Sequence, residues 1–94
     1  MMWRTVKAAI LPPAPTAFVY VLRCIDGTLY CGWTNDLDRR VEQHRTGRAS
    51  RYTRSRLPVE LAWSRRMPSR SAAMREEARI KRLSRAQKLR LVGD

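Results

Sequence analysis

The chain is short of cysteine, lysine, acidic residues and long apolar runs, and each shortage closes off a class of protein. Its two cysteines, Cys24 and Cys31, are too far apart for a Cys-x-x-Cys pair, and the chain has only one histidine to set beside them. That set cannot complete a four-ligand zinc site. Both fall in apolar stretches, where a reduced thiol behaves as a small hydrophobe, so the expected compartment is the cytoplasm. No apolar run approaches the roughly 20 residues a membrane-spanning helix needs, and no membrane partner is expected. Trp3–Leu11 does not read as a secretory signal, because Lys7 and the Pro12-Pro13 pair break up its apolar character. Against 8 acids stand 20 basic residues, which gives a formal net charge of +12. All but three of those 20 are arginine, whose planar fork grips phosphate oxygens in pairs. Lysine would serve for solubility alone. The expected partner is therefore nucleic acid, ahead of an anionic membrane surface or an acidic protein.

Ninety-four residues make one small domain. Residues 1–16 read as a proline-containing N-terminal extension, since Pro12, Pro13 and Pro15 disfavour helix and central strand alike. Residues 17–94 form the domain. Ala17–Cys24 and Thr28–Trp33 are rich in β-branched and aromatic residues, and Asp26-Gly27 between them signals a hairpin. A two-residue loop would put Tyr20 and Tyr30 on opposite faces of the sheet. A three-residue loop, with Gly27 left-handed, pairs Cys24 with Thr28 and sets Tyr20 opposite Gly32 and Leu22 opposite Tyr30. The second register gives both phenols one face, and it is the one expected. Thr34 or Asn35 is placed to cap a helix that runs to about Arg45, with Leu37 and Val41 on one stripe and Arg40 and His44 on the next. Arg48–Arg56 reads as a basic loop around Tyr52. A third strand is expected over Val59–Ser64, a helix from Pro68-Ser69 to about Leu83 with Ala73, Ile80 and Leu83 as its apolar stripe, and a short helix from Ser84 to Leu91. The order β-β-α-β-α-α describes an α+β domain, a small three-stranded antiparallel sheet flanked by helices.

The hairpin resembles the signature of the GIY-YIG nuclease superfamily. Its first triplet matches Phe18-Val19-Tyr20 and its second Tyr30-Cys31-Gly32. The likeness continues through Thr34–His44 and resumes at Ala73–Lys81, which is similar to the family's glutamate helix. It covers about residues 17–91. Small single-domain bacterial members are nearest in length, with the N-terminal nuclease domain of the bacterial excinuclease and homing endonuclease catalytic domains further off. Two departures stand out: Phe18 replaces the first glycine, and no asparagine follows Asn35.

What the resemblance implies is hydrolysis of a DNA phosphodiester with one divalent ion, Mg2+ or Mn2+, in DNA repair or processing. Glu77 would hold the metal, as a hard cation suits a carboxylate oxygen and retained waters. Tyr20 or Tyr30 would take or relay the proton of water. Arg40 would brace the phosphate as charge builds on it, and His44 would bond the phosphate, orient a tyrosine or move a proton. Gly32 would let a neighbour come close beside Tyr20. Each residue also has a plainer explanation. The tyrosines suit hairpin packing, Arg40 a solvated helix face, His44 a surface or core position. Glu77 could simply pair with Arg70, Lys81 or Arg82, and Glu76 competes with it as the ligand. Arg48, Arg51, Arg54, Arg56, Arg65, Arg66 and Arg70 are the expected backbone contacts to nucleic acid, with Tyr52 able to stack on a base. No base-reading helix is evident. Specificity should come from DNA shape (branches, flaps, nicks or single-strand junctions) or from a partner protein. A basic module that binds DNA or RNA without cutting is the alternative.

Overall fold

The computed structural model describes residues 16–93. Of the N-terminal extension only Thr16 is included; residues 1–15 and Asp94 lie outside the described residues. Three antiparallel strands, β1 (Ala17–Arg23), β2 (Leu29–Thr34) and β3 (Glu60–Met67), form one sheet in the order β2-β1-β3. Helices α1 (Leu37–Arg45), α2 (Arg51–Arg54), α3 (Arg70–Lys81) and α4 (Arg85–Leu91) complete the domain.

The hairpin adopts the three-residue loop. The amide of Cys24 donates to the Thr28 carbonyl (2.9 Å), that of Gly27 to the Cys24 carbonyl (2.9 Å), and Gly27 has φ +82°. The Asp26 carboxylate fixes the turn by accepting from the Thr28 amide at 3.1 Å and its hydroxyl at 2.6 Å. Tyr20 pairs with Gly32 and Leu22 with Tyr30, as the loop length dictates.

Because β1 is central, both its faces are buried. Ala17, Val19 and Val21 join Cys31, Ala73 and Ile80 on the side covered by α3. Tyr20, Leu22 and Cys24 join Val41 and Val59 on the side covered by α1. Burial of residues such as Val19, Leu22 and Ile80 contributes about 1.5–3 kcal/mol each before chain entropy is counted.

Four boundaries differ from expectation. Asp36, not Asn35 or Thr34, caps α1 and accepts from the Arg39 amide. Thr34 is still the last residue of β2, and its hydroxyl is engaged with the Asp36 amide (3.1 Å). The supposed loop at residues 48–56 contains α2, a single turn too short to show any apolar period, capped by Ser50. The third strand runs to Met67 because it stays paired with β1 as far as Ala17, despite its exposed arginines. Helix α3 is capped by Ser69 and stops at Lys81; Leu83 packs beyond its end.

Candidate active site

Tyr20 and Tyr30 share the α1 face of the hairpin, and α1 lays His44 against both. Position 44 lies three residues after the buried Val41, so its side chain turns inward, and it is 1% exposed. The Tyr20 hydroxyl and His44 Nε2 are 2.9 Å apart. The imidazole also touches the Tyr30 ring at 5.1 Å between centroids. Arg40, one turn earlier, is half-buried and lines a surface pocket of about 270 Å³ with Thr34, Asn35, Asp36, Arg39 and Gln43. Among the described residues it makes no ion pair, which leaves its guanidinium for an anion.

Gly32 has a definite steric task. A Cβ built there would lie 2.6 Å from the Tyr20 hydroxyl oxygen and 2.7 Å from Cζ. The phenol therefore lies across β2, in the space a side chain would fill.

Burial dominates the electrostatics. It raises the pKa of Tyr20 well beyond the ordinary phenol value; the charge of Tyr30 adds to this, and Arg40 opposes it. Tyr20 keeps its proton at rest. Burial, with help from the Arg40 charge, lowers His44 to about 4, so the imidazole is neutral at physiological pH. Cys31 is pushed up to about 11, by burial first and by Glu77 second, and both cysteines are free and buried.

Glu77 belongs to a different layer. It lies on the stripe of α3 between buried Ala73 and Ile80, so it approaches β2 from the face opposite His44. It hydrogen-bonds none of the other four candidates. Its charge reaches Tyr20 and Cys31 across the edge strand. Of the three pairings expected for it, the structure shows Lys81, at 3.5 Å. Glu76 is more heavily engaged. Arg79 holds it with bonds of 2.8 and 2.7 Å, Arg65 adds a third at 3.2 Å, and the Arg79 bonds hold its carboxyl below the usual range. Glu77 is thus the more available carboxylate. Among the described residues no group of three or more His, Cys, Asp or Glu could cage a metal. A lone half-buried carboxylate fits Mg2+, which keeps most of its waters and shares its remaining positions with phosphate oxygens.

The expected interface arginines divide. Arg48, Arg51 and Arg54 line one pocket of about 530 Å³ beside Ser50. Arg66 is exposed on β3, and Arg70 lies 5.6 Å from the Trp33 ring. Arg65 is tied to Glu76. Arg56 is engaged within the fold: it pairs with Asp26 at 3.1 Å, donates to the Tyr52 carbonyl at 2.9 Å, and sits 3.8 Å over the Tyr52 ring. That guanidinium covers one face of the ring expected to stack on a base.

Sequence reasoning passed over Thr53. It is 0% exposed, and its hydroxyl is 2.8 Å from His44 Nδ1 and 2.9 Å from the Ser50 hydroxyl. The available signal was Ser50, a good cap residue, three positions before a threonine.

The profile of the GIY-YIG catalytic domain matches residues 16–90. The chain belongs to the GIY-YIG family, a nuclease family whose domains act on DNA. Its near relatives there are small single-domain proteins that carry the name UPF0213. One from Natronomonas pharaonis is 54% identical over 77 residues, covering 82% of this chain and 91% of that one. Another, from Oceanobacillus iheyensis, is 47% identical over 75 residues, covering 80% and 87%. The solution NMR structure of a UPF0213 protein from Bacillus halodurans is 44% identical, with a TM-score of 0.55 over 82% of each chain. Among the described residues no helix is long and apolar enough to cross a membrane.

Proposed function

We propose that this protein is a metal-dependent DNA endonuclease that selects branched, flapped, nicked or single-strand-junction substrates by shape, in DNA repair or processing. The observation that carries the reading is the buried Tyr20–His44 hydrogen bond, with the guanidinium of Arg40, which has no ion pair among the described residues, beside it and the Glu77 charge reaching it across β2. Glu77 would hold one Mg2+ or Mn2+, whose charge lowers the pKa of a bound water.

The chain's own residues supply the rest. Arg40 braces the phosphodiester as negative charge grows on its oxygens. The attacking water gives a proton to the Tyr20 oxygen while the Tyr20 proton passes to His44 Nε2. The water oxygen bonds to phosphorus, the ester P–O bond breaks, and the departing oxygen is protonated from solvent. Neutral His44 has a lone pair for this task, although burial first and the Arg40 charge second oppose imidazolium. A bound phosphodiester offsets the Arg40 part of this penalty, so proton uptake is easier with substrate present than without it. Tyr30 shields the pair from one side. Arg48, Arg51 and Arg54 contact the nucleic-acid backbone.

Magnesium-dependent cleavage of labelled linear, nicked, flapped and branched DNA tests this. Wild type should cut at least one of them. Glu77→Ala should bind but not cut, and Glu76→Ala should still cut, its carboxylate being held by arginines. Equal cleavage by wild type and Glu77→Ala would refute the ligand assignment. One observation favours a second reading, a module that binds DNA or RNA without cutting: Tyr20 is only 2% exposed. Binding without cleavage of any substrate would select it.

A further inference from the structure

His44 is the only histidine in the chain, and each of its ring nitrogens has one partner. A neutral imidazole carries a proton on one nitrogen and a lone pair on the other, so those partners decide which is which. Two arrangements are conceivable. In the first, Nδ1–H donates to Thr53 and Nε2 accepts from Tyr20. In the second, Thr53 donates to Nδ1 and Nε2–H donates to the Tyr20 oxygen.

The second arrangement strands a proton. Tyr20 retains its own hydrogen, and among the described residues its oxygen has no hydrogen-bond partner other than His44. The hydroxyl of a residue that is only 2% exposed would then have no protein acceptor among the described residues. The first arrangement satisfies every group. Tyr20 donates to Nε2, Nδ1–H donates to the Thr53 oxygen, and the Thr53 hydroxyl donates to Ser50, with the side-chain oxygen at 2.9 Å and the carbonyl at 3.5 Å. Ser50 is itself fixed, because its side chain caps α2 by accepting from the Thr53 amide at 3.1 Å. The charged and titratable groups around this hydrogen-bonded relay are Arg40 on α1, Tyr30 and Cys31 on β2 and, acting on Tyr20 from α3, Glu77. None of them competes for Nδ1.

We propose that Thr53 is a positioning residue of this site: its hydroxyl oxygen accepts a hydrogen bond from His44 Nδ1–H and so leaves Nε2 as the acceptor for Tyr20. The one-turn helix α2 exists in the right place to do this. Ser50 starts it, and its third residue brings the hydroxyl under α1. The catalytic sense of the inference rests on the nuclease reading, since an Nε2 lone pair is what the proton relay from Tyr20 requires. The tautomer itself does not.

The first test is a long-range 1H–15N correlation spectrum of the 15N-histidine-labelled protein near neutral pH, where a single histidine leaves no ambiguity of assignment. Wild type and Thr53→Ser should show protonated Nδ1 and unprotonated Nε2. In Thr53→Val, similar in shape but without the oxygen, Nδ1–H loses its acceptor, so protonated Nε2 should gain population even though it leaves the Tyr20 hydroxyl without a protein acceptor among the described residues. Protonated Nε2 in wild type, or an unchanged tautomer in Thr53→Val, would overturn the proposal. Should Thr53→Val fail to fold, the wild-type and Thr53→Ser spectra still decide it, since protonated Nε2 in either overturns it. Cleavage assays add a second readout. Thr53→Val should lower kcat by roughly 10–100-fold, by analogy with the outer-shell partners that orient metal-ligating histidines, with Thr53→Ser restoring it. Full activity in Thr53→Val would refute the positioning role. Absence of cleavage by wild type would defeat the nuclease reading and leave the spectra to judge the tautomer.

Discussion

His44 shows how strongly burial governs a single side chain here. Its folded pKa of about 4 lies below the ordinary 6.5, so between those values the unfolded chain binds a proton that the folded one excludes. The sign follows: stability is full above pH 6.5 and is lost as the pH falls through 4. The difference corresponds to about 3 kcal/mol at its limit. Urea unfolding from pH 7.5 to 4 should show this decline, and His44→Gln should flatten it across the same window. Spacing placed His44 one turn after Arg40 on a helix that follows two tyrosines, and the resemblance to the GIY-YIG family gave it a role there. Thr53 was not, because its meeting with His44 depends on how a one-turn helix docks beneath α1, and no local pattern encodes that.

Among the elements, α1 carries two of the candidate residues, and its start is set by one carboxylate. Asp36 accepts from the Arg39 amide at 3.2 Å and places a negative charge at the positive end of the helix. Asp36→Ala should lower stability by about 1 kcal/mol, seen as a drop of about 4–8 °C in Tm for a domain of this size. The hairpin was readable down to its register, because Asp26-Gly27 permits few loops and sharing of a face by the tyrosines selects one. Caps were less readable. Thr34, Asn35 and Asp36 all have cap-competent side chains, and how far β2 extends decides among them. The layer to which Glu77 belongs was hidden for a related reason: sequence shows its stripe on α3 but not which side of the sheet that stripe covers.

Across the molecule the net charge of +12 is unevenly committed. Arg56, Arg65 and Arg79 are held by Asp26 and Glu76, whereas Arg48, Arg51 and Arg54 line one open pocket. Removing one of the pocket arginines should weaken DNA binding and reduce the slope of log K against log salt by about 0.9, one released counterion's worth. Arg56→Ala should leave that slope nearly unchanged and lower stability instead. Titrations of duplex DNA at several salt concentrations, paired with thermal melts, separate the two kinds of arginine.

The steric relation between Tyr20 and Gly32 imposes an order on how this site can change through mutation. A chain that first loses the phenol gains room at position 32 and can accept alanine or serine there with little disturbance. A chain that first gains a side chain at position 32 must evict the phenol and with it the bond to His44. The two positions behave as a ratchet: once the tyrosine is gone the glycine can follow without a clash, and regaining the tyrosine then requires that the glycine be restored beforehand.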